Sequence, residues 1–155
     1  MRKKIFIFSL IWFFIDIISK TIIKSTMNLS SSIIVIPNFF NITYVINDGA
    51  AFSILRGKQL LLIIIGIILF LMILYYIKKD KLNNYKVFYY SLLIGGLFGN
   101  LFDRIVYNGV IDFLDFNIFG YDYPIFNLAD TFIVIGVILI IIESFRKDFY
   151  GNNSK

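Results

Sequence analysis

Residues 60–77 read LLLIIIGIILFLMILYYI, eighteen positions without a charge and with Gly66 as the only interruption of the aliphatic and aromatic run. A soluble helix of that length would carry a polar stripe along one side. A run apolar all round, close to the roughly 20 residues that cross a bilayer core, reads as a membrane span. Working outward, three more candidates emerge. The first covers 5–23 and is uncharged up to Ile15, then polar at Asp16, Ser19 and Lys20. Another covers 87–102 and contains Gly95, Gly96, Gly99 and Asn100. The last covers 125–142, with Asn127 and Asp130 near its start. With 59% hydrophobic and 19% aromatic residues in 155, and a mean hydropathy of +0.81, the chain is too apolar for a soluble globule of this size. The expected architecture is one polytopic membrane domain over 1–155, an α-helical bundle of four transmembrane helices.

Basic residues set the expected orientation. Arg2, Lys3 and Lys4 precede the first span, Lys78, Lys79, Lys81 and Lys86 lie between the second and third, and Arg146, Lys147 and Lys155 follow the fourth. These are ten of the fifteen basic residues, and the positive-inside rule puts them and both termini in the cytoplasm. The net charge of +5 is thereby assigned to topology, and no nucleic-acid partner is expected. The first run is too long for a cleavable leader and lacks a small-residue cleavage site. Segments 21–59 and 103–124 then face the other side. Within 33–55, β-branched and aromatic stretches at Ile33–Ile36 and Asn41–Ile46 are bounded by Pro37-Asn38 and Asn47-Asp48-Gly49, which is strand and turn chemistry. A small extracytoplasmic β-structure on the membrane surface is expected there. Val110–Phe116, after the Asn108-Gly109 turn signal, also reads as extended.

No cysteine and no histidine occur. That removes disulfides, thiolate nucleophiles, the usual general base and the usual zinc ligand. Carboxylates in or beside membrane segments are costly and mark function. Gly96, Asn100 and Asp103 at i, i+4 and i+7 share one helical face, and Gly95 and Gly99 form a GxxxG that permits close helix approach. Asn127 and Asp130, at i and i+3, share a face of the fourth helix, where capping competes as an explanation. Strand alternation sends Asp112 and Asp115 to opposite faces, so one looks into a cavity and the other to water. Residue spacing alone leaves open which. In the first span, Asp16 and Lys20 at i and i+4 suggest an ion pair, although snorkelling also accounts for Lys20. Paired carboxylates that cannot both ionise easily fit metal-free acid–base hydrolysis, one acting as acid and the other as base. A transporter using intramembrane carboxylates competes, but it explains poorly the extended position of Asp112 and the β-rich segment. A serine–lysine pair, Ser53 or Ser19 with Lys20 or Lys58, has no supporting spacing.

The motifs in order are Asp16…Lys20, Asn47-x-Gly49-Ala50-Ala51-Phe52, Gly96-x-x-Gly99-Asn100-x-x-Asp103-Arg104, Ile111-Asp112-Phe113 and Phe126-Asn127-x-Ala129-Asp130. This set resembles the lipoprotein signal peptidases (signal peptidase II), bacterial membrane aspartyl proteases, over nearly the whole chain. The resemblance implies a catalytic pair at Asp112 and Asp130. It also implies a supporting set of Asp16, Lys20, Asn47, Gly49, Gly96, Asn100, Asp103, Arg104, Asn127 and Ala129. It further implies an extracytoplasmic β-cradle, a diacylglyceryl-modified prolipoprotein substrate cut on the amino side of the lipidated cysteine, and a site at the outer face of the cytoplasmic membrane. Beyond substrate and membrane lipid no partner is implied, the chain is expected to be a monomer, and no metal or cofactor is expected. The family often has Gln after its first-helix acid; this chain has Ile17, which bears on the polar network of Asp16. Arg104 is expected to neutralise Asp103 and hold the neighbouring loop.

Overall fold

A computed structural model of the chain describes residues 1–50 and 54–151, the last five of these as backbone only. Ala51, Phe52 and Ser53, and the tail from 152, lie outside the described residues. Helix α1 (Arg2–Thr26) leads to an antiparallel hairpin of β1 (Ser32–Ile36) and β2 (Phe40–Asn47). Helices α2 (Gln59–Lys79) and α3 (Asn84–Tyr107) follow, then β3 (Val110–Ile118), the two-residue β4 (Tyr121–Asp122) and α4 (Leu128–Gly151). The strands form one antiparallel sheet in sequence order. Helix α3 is central, packed between α1 and α4, and α2 leans on α3 alone among the helices with substantial contact.

Among the described residues, three helices are long and apolar enough to cross a membrane: α1, α2 and α4 through Arg146. Their apolar side chains point outward; Leu60 is 73% exposed and Ile105, at the end of α3, 68%. Exposed surface of this kind is what a bilayer covers. Helix α3 is equally long but more polar, because its small and polar residues face the other helices. A Cβ at Gly95 would sit 2.6 Å from Trp12 Cβ of α1, and one at Gly96 would collide with the carbonyl oxygen of Ala129 at the start of α4. Gly95 and its neighbour Gly96 thus bring α3 against two helices at once.

Arg2 Nη2 donates to the carbonyl of Lys78 at 2.8 Å, and Tyr89 near the start of α3 donates to Glu143 late in α4 at 2.7 Å. Both chain ends therefore share one end of the bundle, and the sheet caps the other. Ile23 of α1 packs there with Tyr44, Ile111 and Phe113.

Two boundaries differ from expectation. The helix expected from 125 begins at Leu128, because Phe126 is held extended by a bridge to Leu114 and Asn127 caps the first turn. The third helix runs past 102 to Tyr107 and stops where Asn108 turns left-handed, φ 54°. Lys86, read as a loop cation, is 3% exposed. It pairs with Asp80 and lies 3.8 Å from Glu143.

Candidate active site

Asp112 sits in the inward-facing first half of β3 and is 2% exposed. Asn47, at the end of β2, pairs with Val110, one diagonal step from Asp112, and its Nδ2 donates to Asp112 Oδ2 at 3.0 Å. Asn127 Nδ2 donates to Asp112 Oδ1 at 2.7 Å. Burial, and after it the negative charge of nearby Asp130, raises the Asp112 carboxyl from the ordinary value to about 7. The two amide donors oppose that rise without cancelling it.

Asp130 is at the third position of α4. Its backbone N–H donates to Asn127 Oδ1 at 2.9 Å, and its Oδ2 accepts from the Asn127 N–H at 3.3 Å, a reciprocal capping arrangement. Capping therefore does not exclude a place in the site, because the same two side chains cap the helix and bond to Asn100 and Asp112. Asp130 lies in the first turn, shallower than a start at 125 implied. Its Oδ1 accepts from Asn100 Nδ2 at 2.7 Å, and Asn100 Oδ1 accepts from Asn127 Nδ2 at 3.1 Å. Two carboxylates from a strand and a helix are thus linked through two amides, Asp112–Asn127–Asn100–Asp130.

Behind this relay lies Lys20, 1% exposed. Its Nζ is 2.7 Å from Asp16 Oδ2, 3.0 Å from Asp103 Oδ2 and 3.2 Å from Asn100 Oδ1. The ammonium does not snorkel. Asp16 Oδ1 accepts the backbone N–H of Ala129 at 2.9 Å, and Asp103 Oδ2 accepts that of Ile111 at 3.1 Å. Each of these carboxylates therefore holds the peptide N–H of the residue just before Asp130 or Asp112. Gly99 matters because any side chain there would strike the Asp16 carboxylate. The contacts of Asp16 with Lys20 and Ala129 form with Ile17 in place, while Asp103 Oδ1 is buried without a hydrogen-bond partner among the described residues.

Asp103 makes its salt bridge with Lys20, which Asp16 shares, and not with Arg104, contrary to expectation. Arg104 does hold the neighbouring loop, donating from Nη2 to the carbonyl of Gly49 at 3.2 Å and from Nη1 to that of Asn100 at 3.2 Å. Gly49 is buried and donates its N–H to Asn47 Oδ1 at 2.9 Å, which fixes the amide that meets Asp112. Asp115 is half-buried and accepts from Thr43 Oγ1 at 2.6 Å, so it does not simply face water.

A cleft of about 890 Å³ opens beside this arrangement. Asp112, Asp130, Asn47, Asn100 and Arg104 line it, while Asp16, Lys20, Gly49, Gly96, Asp103, Asn127 and Ala129 stand behind its wall. Among the described residues no group of three carboxylates is arranged to hold a metal ion. The chemistry open to the site is that of one carboxyl able to keep a proton at neutral pH next to a second carboxylate, above an apolar wall. Sequence reasoning missed the second buried lysine cluster, Lys86 with Asp80, Glu143, Tyr89 and Tyr90. Glu143, directly after the apolar run 132–142, was the available signal.

Residues 8–146 match the family model described as signal peptidase (SPase) II, Peptidase_A8. A lipoprotein signal peptidase of Staphylococcus haemolyticus (strain JCSC1435) is 52% identical over 129 residues, covering 83% of this chain and 82% of its own. Its counterpart in Staphylococcus aureus (strain JH9) is 48% identical over 161 aligned positions, covering 100% of this chain and 98% of its own. A bacterial membrane enzyme solved by the in meso method at 2.3 Å superposes with a TM-score of 0.88 at 42% identity, covering 97% of this chain and 91% of that one. A second, solved at 1.9 Å, gives 0.81 at 44% identity, with 90% of each chain covered. The chain belongs to the signal peptidase II family of aspartic peptidases.

Proposed function

We propose that the chain removes the signal peptide from diacylglyceryl-modified prolipoproteins, cutting on the amino side of the lipidated cysteine, with Asp112 and Asp130 as the catalytic pair. The relatives' printed names support the substrate class. The observation that carries the pair is the amide relay: Asp112 and Asp130 both line the cleft and are tied together through Asn127 and Asn100.

In this reading a water sits between the two carboxyls. The ionised one takes a proton from the water as its oxygen attacks the scissile carbonyl carbon, and the protonated one gives its proton to the carbonyl oxygen. The resulting gem-diol collapses, the C–N bond breaks, and a proton returns to the departing amine. Burial and the nearby charge of Asp130 favour the protonated form of Asp112. Asn47, Asn100 and Asn127 orient the carboxylates, and Lys20, Asp16 and Asp103 hold the backbone on which they stand. Gly96 and Ala129 allow α3 and α4 to meet, and Gly49 and Arg104 fix the loop beside Asn47.

Helix α3 is the fourth span in this reading: its 24 residues would extend about 36 Å, enough for a hydrocarbon core of about 30 Å. With the basic end inside, both termini are cytoplasmic and the sheet and cleft lie at the outer face of the cell membrane. A cleft at that level receives the signal helix laterally while the acyl chains stay in lipid, and one chain suffices. The test incubates purified protein in lipid with a diacylglyceryl-modified prolipoprotein, beside Asp112→Asn and Asp130→Asn. Either variant is expected to lose at least about 10³-fold in rate. Cleavage by a variant within tenfold of the parent would remove that residue from the pair.

A further inference from the structure

The hairpin joining β3 to β4 turns at Phe119 and Gly120 with φ 53° and 84°. Positive φ at both central positions is the two-residue turn that suits a twisted hairpin, and Asn-Gly or Asp-Gly is the usual occupant. A phenylalanine in that region is a strained choice. Here it is also wholly exposed, so no protein contact accounts for it. Ile118, Tyr121 and Tyr123 beside it are exposed as well. The tip is held stiffly: Asn117 Oδ1 accepts the Gly120 N–H at 2.9 Å, and its Nδ2 donates to Asp122 Oδ1 at 2.6 Å.

The position of the hairpin says what covers it. Ile118 and Tyr123 line the same cleft as Thr131, Val134 and Ile135 of α4. Val134 lies six residues into that helix, about 9 Å along it, and is itself exposed on an apolar face. Apolar side chains of a membrane-crossing helix and of the hairpin base thus share one cleft wall, from which the hairpin tip projects. Asp122 is the only charged residue in 116–127.

We infer that Phe119 and its neighbours form a rigid wedge inserted into the lipid leaflet at the sheet end of the bundle, anchoring one lip of the cleft in the acyl region. The strained turn presents the ring at the point farthest along the hairpin, where aromatic residues sit at a membrane interface. The inference requires a membrane enzyme of this fold and is independent of which substrate is cut.

Because the chain has no cysteine, one spin label can be attached at a single introduced site in the full chain. Phe119→Cys and, for comparison, Asn28→Cys at an exposed position after α1 would be labelled in phosphatidylcholine–phosphatidylglycerol nanodiscs. Collision with oxygen and with a water-soluble nickel chelate would then be compared. The label at 119 is expected to favour oxygen, and that at 28 the chelate. Equal chelate access at the two positions overturns the inference. In detergent micelles, Phe119→Asn keeps the left-handed turn without its strain and is expected to raise the thermal midpoint by roughly 2–4 °C. A midpoint that falls would mean that the ring serves the fold rather than the lipid.

Discussion

Among the described residues the bundle contains two buried lysines, each set between two carboxylates, at opposite ends. Lys20 lies between Asp16 and Asp103 beneath the sheet; Lys86 lies between Asp80 and Glu143 near the chain termini. Their burial is similar, but their surroundings are not. Around Lys86 the carboxylates accept tyrosine hydroxyls, Tyr89 on Glu143 and Tyr90 on Asp80 at 3.2 Å, which ties the end of α2 to α3 and α4. None of these residues lines the cleft beside Asp112 and Asp130. Around Lys20 the carboxylates hold the backbone N–H of Ala129 and Ile111, and Asn100 passes the network on to a cleft. A buried ion pair is therefore weak evidence of function by itself. What else its carboxylates hold is the informative part.

The sharpest break of this comparison replaces each lysine with methionine. Lys20→Met strands two buried carboxylates and is expected to cost about 3–5 kcal/mol of stability; Lys86→Met leaves two half-buried ones and should cost less. Lys20→Met should in addition lower kcat of the folded fraction at least about tenfold, because the backbone under Asp112 and Asp130 loses its tether. Lys86→Met should leave kcat of the folded fraction within about twofold. Thermal unfolding and single-turnover cleavage, measured on the same preparations, separate the two effects. Equal kcat losses would erase the distinction between the clusters.

A smaller effect concerns pH. The pair needs one proton, and the Asp112 carboxyl is raised to about 7 by burial and by Asp130, with Lys20, Asn47 and Asn127 opposing. Arg104 also faces both carboxylates. Above about pH 7 Asp112 loses its proton, so kcat/KM is expected to fall about tenfold per unit there. The linked stability has the sign of a raised carboxyl. It is fully present below the unfolded value of 3.8, is lost as pH rises through about 7, and is flat beyond. A kcat/KM that keeps rising to pH 9 would break the assignment of the proton to this pair.

The smallest effect is at Asp115, whose partner Thr43 is the sheet's counterpart to the amides on Asp112. Thr43→Val should cost about 0.5–1.5 kcal/mol and leave the cleavage rate unchanged. A tenfold loss in rate would bring Asp115 into the site.

Much of the architecture was written in composition and order. An uncharged run such as 60–77 has no stable place outside lipid, and β-branched stretches between turn residues cannot easily continue a helix, so helices α1, α2 and α4 and strands β1 to β3 were legible. The proposal of Asp112 and Asp130 as the pair came only from the family's motifs, because alternation separates Asp112 from Asp115 without saying which faces inward. The helix start at Leu128 was not legible. It depends on a bridge between Phe126 and Leu114, twelve residues apart, which competes with the helical tendency of 125–127.

Pairing was decided by the tertiary structure alone. Spacing proposes Asp16 with Lys20 and, by adjacency, Arg104 with Asp103. Only the packing of α1 against α3 at Gly95 and Gly99 brings Lys20 to Asp103, 83 residues away in the chain, and leaves Arg104 free to reach Gly49. The physical reason is range. Hydrophobic periodicity and turn chemistry act over a few residues and are visible in a line of sequence. The partner of a buried charge is whichever opposite group the folded helices deliver within about 3 Å.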